Sequence, residues 1–97
     1  MKELIVESWN DSVEVTEREY ANDEDWANGE NELNYCRRSI NYGEREDVKK
    51  EKVKELVNMM NDSENCVNCY IHHNWGSASR VNKKELIKYI EKNILNN

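Results

Sequence analysis

Residues 2–20 read KELIVESWNDSVEVTEREY, and the fold class turns on how they are parsed. Leu4, Ile5 and Val6 begin a β-type run that ends near Trp9. Asn10-Asp11-Ser12 follows as a turn cluster, because short Asn and Asp side chains bond their own backbone and tolerate left-handed conformations. Val13, Val15 and Arg18 then alternate with Glu14, Thr16 and Glu17 as a second strand would. The stretch predicts a β-hairpin of strands 2–9 and 13–20.

The rest of the chain is read outward from that hairpin. Residues 21–32 are acidic, with Gly29 and several Asn, and predict a loop or one helical turn around 23–26. Leu33, Tyr35, Cys36, Ile40 and Tyr42 give residues 33–42 the aromatic and β-branched content of a third strand. In residues 45–61, Val53, Leu56, Val57 and Met60 fall at i, i+3, i+4 and i+7, one stripe of a helix, with Val48 off it. Asn61-Asp62-Ser63 ends that helix. Val67, Cys69 and Ile71 alternate with Cys66, Asn68 and Tyr70, so residues 66–73 read as a strand. Trp75-Gly76-Ser77 reads as a turn. Asn82 followed by Glu85 resembles a capping box, and it opens an amphipathic helix carrying Leu86, Ile87, Tyr89, Ile90 and Ile94. The expected fold is α+β: a small single domain over residues 1–97, with an antiparallel sheet of three to four strands in ββ(β)αβα order and two helices packed on one face.

Ninety-seven residues leave room for one core only. A mean hydropathy of −1.07 leaves no apolar run able to span a bilayer. Glu3 directly follows Met1 and Lys2, and no apolar core of a signal peptide comes after it. Three cysteines without an export signal predict reduced thiols and a cytoplasmic protein. The bias to Asn, Lys, Glu and Ile suggests an A/T-rich coding source, such as a low-GC bacterium or its phages.

Charge is distributed unevenly. Residues 1–35 hold eleven carboxylates against Lys2 and Arg18, a balance of −9; residues 36–97 hold nine acids and twelve bases, +3, and together they make the net −6. The first part should repel nucleic acid and attract basic surfaces. Within it, Glu17, Glu19, Asp23, Glu24, Asp25, Glu30 and Glu32 surround Tyr20 and Trp26. A Trp in so polar a segment is either tucked over the sheet or an anchor for a partner.

Other constellations are weaker. Cys66-x-x-Cys69-x-x-His72-His73 has zinc-ligand chemistry, but only Cys36 could complete a second pair, and on a strand Cys66 and Cys69 face opposite ways. Cys69 then reads as a small core residue. Ser63, Ser77 and Ser79 sit in no nucleophile turn that would serve a His72 or His73 base. Gly76-Ser77-Ala78-Ser79-Arg80 is too poor in glycine for a phosphate loop. Asp23-x-Asp25 with Gly29 fails the EF-hand spacing in either register. Arg45, Lys49 and Lys52 at i, i+4 and i+7, with Arg37-Arg38 upstream, could track phosphates, but interspersed Glu44, Glu46, Glu51 and Glu55 favour a solvated helix face.

In size, charge and composition over the whole chain, the sequence resembles phage-encoded inhibitors of host defence, including anti-CRISPR proteins and nucleic-acid mimics; no motif carries that likeness. The expected function is non-enzymatic: an acidic surface built from Glu17 to Glu32 that docks into the basic, nucleic-acid-binding groove of a partner protein, with no direct nucleic acid, no membrane, no metal and no cofactor. The alternative is a small zinc-stabilised regulatory domain using Cys66, Cys69, His72 and His73.

Overall fold

A computed structural model describes residues 1–74 and 76–95, with only the backbone of Asn74 and Leu95. The elements run β1 (Lys2–Ser8), β2 (Ser12–Tyr20), α1 (Asp23–Asn28), β3 (Glu32–Asn41), α2 (Glu46–Asn61), β4 (Asn65–Asn74), β5 (Ser77–Val81) and α3 (Lys83–Ile90), which a π-helical turn over Glu91–Leu95 continues. The class is α+β, as the patterning predicts. The sheet differs from expectation. It has five strands in the order β3-β2-β1-β4-β5, and it is mixed, because β1 pairs antiparallel with β2 but parallel with β4. The antiparallel sheet of three to four strands is therefore corrected to a mixed one in ββαβαββα order. Alternation along a strand marks its two faces, not the direction of its neighbour. β5, Ser-Ala-Ser-Arg-Val, has no apolar alternation to announce it; pairing with β4 makes it a strand. The expected turn at residues 75–77 keeps Gly76 in a turn with φ 79°, while Trp75 lies outside the described residues.

One sheet face carries the core. Val6 stands between Val15 and Cys69, and Ser8 between Val13 and Ile71, so alternate residues of all three strands project to the same side. Leu4, Val6, Val13, Val15, Ile40, Cys69 and Ile71 meet Val53, Leu56 and Met60 of α2 there, with Leu86 and Ile90 of α3 and Ile94 of the π turn. Each such aliphatic side chain contributes about 1.5–3 kcal/mol when enclosed. The opposite face holds the other parity, including Glu3, Ile5, Glu7, Thr16, Arg18, Asn68 and Tyr70, and neither α2 nor α3 packs on it.

The α2 stripe extends one turn further than its apolar residues. Lys49 precedes Val53 by four positions and is only 6% exposed. Its stem continues the stripe, and its ammonium donates to the Tyr42 carbonyl at 3.0 Å and pairs with Glu46 at 3.1 Å. Lys52 pairs with Glu44, and Arg45 with Asp47. The three bases at i, i+4 and i+7 are thus tied within the fold. No helix among the described residues is long and apolar enough to cross a membrane.

Leu86, Ile90 and Ile94 are fully enclosed. Leu86→Ala should lower folding stability by about 2–5 kcal/mol, read as a lower urea midpoint with an unchanged slope; an unshifted midpoint would contradict the packing of α3.

Candidate functional site

The topology gathers acidic residues at one end of the sheet. Lys2 of β1 stands between Glu19 of β2 and Asn65 of β4, and Tyr20 is paired with Glu32 of β3. The end of β2, all of α1, the starts of β1 and β3, and the turn from α2 to β4 therefore lie at the same level. That brings Asp62 and Glu64, from the basic part of the sequence, to the carboxylates of residues 1–35. A polar cleft of about 310 Å³ opens here, lined in part by Glu3, Glu17, Arg18, Glu19 and Asp62.

α1 is a capped six-residue helix in place of the expected loop or single turn. The Asn22 side chain accepts from the Asp25 amide at 2.8 Å. Gly29 adopts φ 67°, and the Gly29 and Glu30 amides donate to the Trp26 and Asp25 carbonyls at 3.2 and 2.9 Å, a Schellman ending that needs a left-handed residue. Asp23, Glu24 and Asp25 occupy its first turn, where the helix N-terminus favours negative charge. Trp26 is half-buried and donates from Nε1 to Glu3 Oε2 at 2.9 Å, which ties α1 to β1. Trp26 is thus held over the sheet, with part of its surface still in solvent.

The remaining expected site residues divide between the two faces. Glu17 shares the core parity and accepts from Arg38, which also bridges to Glu55 of α2. Glu19 is on the same side. Tyr20 is buried, 5% exposed, so it cannot itself touch a partner. It supports Arg18, whose guanidinium pKa is raised first by the Tyr20 side chain and then by Glu32 and Glu3. Arg18 also lies over the Tyr35 ring, 5.5 Å from its centroid, and its Nε is buried without a hydrogen-bond partner.

What distinguishes this end is how little counter-charge its carboxylates meet: Lys2, paired with Glu64, and Arg18, near Glu32 and Glu3, are set among them. Among the described residues no ion pair reaches Glu19, Asp23, Glu24, Asp25, Glu30 or Glu32. Asp25 accepts only a hydrogen bond from the Asn31 side chain at 3.3 Å besides its place in the helix. Along β2, β3 and α2 several acids meet bases: Glu14 with Arg37, Glu17 and Glu55 with Arg38, Glu44 with Lys52. The Lys52 contact holds the Glu44 carboxyl below its ordinary value.

Comparison with known protein families, with curated proteins and with solved structures gives no match. The reading of this end rests on its own geometry.

The Cys/His cluster is dispersed. Cys69 is in the core, while Cys66 is on the other strand face. His72 Nε2 shares a 2.8 Å hydrogen bond with Glu7, and its ring stacks on Trp9 with centroids 3.6 Å apart. His73 bonds Ser79 Oγ instead. Cys36 is on β3, two strands beyond β1. Among the described residues no three His, Cys, Asp or Glu side chains converge as a metal site would require. The segment from Ser77 to Arg80 is strand β5, so it does not form a cradle before a helix.

Burial pushes the Cys69 thiol up to about 11, against an ordinary 9.0, with Lys83 and Arg80 opposing in part. The folded state then retains a proton that the unfolded chain releases. Its contribution is full below pH 9 and declines as pH rises towards 11. The stability margin of the wild type over Cys69→Ala should shrink across that window, measured by urea denaturation at each pH. A margin that widens would contradict the burial.

Proposed function

We propose that this chain is a non-enzymatic binding protein whose acidic end docks into a basic, nucleic-acid-binding groove on a partner protein and so inhibits it. The observation that carries the proposal is the convergence of unneutralised carboxylates, from several chain segments, on one end of the sheet. Asp23, Glu24, Asp25 and Glu30 form no ion pair with a base among the described residues. Capping fixes three of them on a short helix, which lowers the ordering cost of binding. The exposed part of Trp26 adds an apolar contact beside them. Spaced carboxylates on a rigid frame imitate the phosphates that such a groove ordinarily receives. A phage-encoded anti-defence role, of the anti-CRISPR kind, is the biological setting that fits a small acidic protein of this design.

Association of this type is electrostatically steered and weakens with salt, because exposed charges are screened beyond about 8–10 Å at physiological ionic strength. After the partner is isolated from a cell lysate, the triple substitution Asp23→Lys, Glu24→Lys, Asp25→Lys should weaken binding at least about tenfold, or about 1.4 kcal/mol. Reversal of Glu51 and Glu91 on the helical layer should change it little. Nucleic acid should compete with this protein for the partner. Full-strength binding by the triple variant, with circular dichroism unchanged, or a complex holding nucleic acid and this protein together, would refute the mimicry.

A further inference from the structure

α1 has little to hold it in place. None of its six residues is buried, and a helix shorter than about 12–15 residues is marginal on its own. The caps complete its ends but bind it only to its own flanks, Asn22 to the Asp25 amide and Gly29 to the Trp26 carbonyl. Among the described residues, one side-chain hydrogen bond joins α1 to the sheet, from Trp26 Nε1 to Glu3 Oε2 at 2.9 Å.

The acceptor of that bond is set firmly. Glu3 stands in the interior of the sheet, between Arg18 of β2 and Cys66 of β4, on the face that α2 and α3 leave open. Arg18 is paired in turn with Tyr35 of β3, and its guanidinium lies over that ring. Tyr35, Arg18, Glu3 and the Trp26 indole thus make one row across the open face. The positive charge of Arg18 near Glu3 offsets the cost of holding a half-buried carboxylate there. Glu3 itself forms no ion pair among the described residues. The rigidity of three paired strands reaches α1 through this one carboxylate.

We propose that Glu3 is the positioning residue of the acidic end: by accepting from the Trp26 indole it orders α1 and fixes Asp23, Glu24 and Asp25 in the arrangement they present. Its part in docking is to hold the helix, not to add a charge. Without it a partner would meet the cost of immobilising the α1 segment at the moment of binding. The two roles separate by substitution. A carboxylate acting through its charge is lost equally in Glu3→Gln and Glu3→Ala. A carboxylate acting as an acceptor is replaced by the Gln amide oxygen, but not by Ala.

Hydrogen exchange of the free protein, followed by NMR residue by residue, reads the ordering directly. The Trp26 and Glu30 amides, which donate to the Asn22 and Asp25 carbonyls, and the Trp26 indole N–H report on α1. In Glu3→Ala all three should exchange at least about tenfold faster, as loss of a bond to a charged acceptor allows, while the amides of β1 and β2 keep their protection. Glu3→Gln should restore slow exchange. Trp26→Phe removes the donor and changes no strand residue, so it tests the same contact even where Glu3→Ala disturbs the sheet. It should speed the Glu30 amide as Glu3→Ala does, and adding Glu3→Ala to it should have no further effect, because the two residues act as one contact. Wild-type rates in Glu3→Ala or in Trp26→Phe, fast exchange in Glu3→Gln, or additive effects of the two substitutions would overturn the proposal. The binding arm rests on the docking reading of the acidic end: Glu3→Ala should raise the dissociation constant for the partner at least about fivefold and Glu3→Gln less than about twofold. Binding weakened by the triple lysine substitution but not by Glu3→Ala would overturn the positioning role. Binding indifferent to the triple substitution would overturn the docking reading and leave the exchange result standing.

Discussion

The parallel pairing of β1 with β4 is the constraint from which the rest follows. β1 is paired on both sides, and its inward residues Leu4, Val6 and Ser8 are almost wholly enclosed. A tight turn, closed by the Trp9 amide on the Ser12 carbonyl at 2.8 Å, suffices to bring β2 back. A parallel neighbour needs a long crossover that returns the chain to the starting end. α2 is that return. It must lie over the face that carries Val6 and Cys69, and it delivers Asp62 and Glu64 to the same end as Lys2 and Glu3. The enclosed core and the acidic end are therefore two results of one pairing.

That explains which parts of the fold were legible in the sequence. The hairpin of β1 and β2, the stripe of α2 and the helix opened by Asn82 are local patterns, and each forms close to where the spacing places it. The Asn82 side chain accepts from the Glu85 amide at 2.8 Å, as the capping reading requires. The direction of β4 is not local. Val67, Cys69 and Ile71 would alternate identically in either orientation. β5 is legible only after β4 is placed, because its hydroxyl and alanine side chains carry no apolar signal. Lys49 was hidden for a different reason. A lysine on a charged helix reads as solvated, but its stem can complete an apolar stripe when a carbonyl such as that of Tyr42 waits at the end.

The site shows a similar division. The acidity of residues 1–35 is plain in the sequence, but its neutralisation is not. The sequence groups Glu17 with the docking surface, whereas Arg38 holds it on the helical side. The sequence places Tyr20 within the docking surface, whereas its side chain is buried. The turn acids Asp62 and Glu64 belong to the basic part of the sequence, yet the fold brings them to the acidic end. Exposed ion pairs of the Glu14–Arg37 kind contribute little stability, typically about 0–1 kcal/mol. Their larger effect is on the field. Pairing along β2, β3 and α2 cancels charge across the middle of the molecule, so the uncancelled carboxylates of α1 and its surroundings act as a localised source.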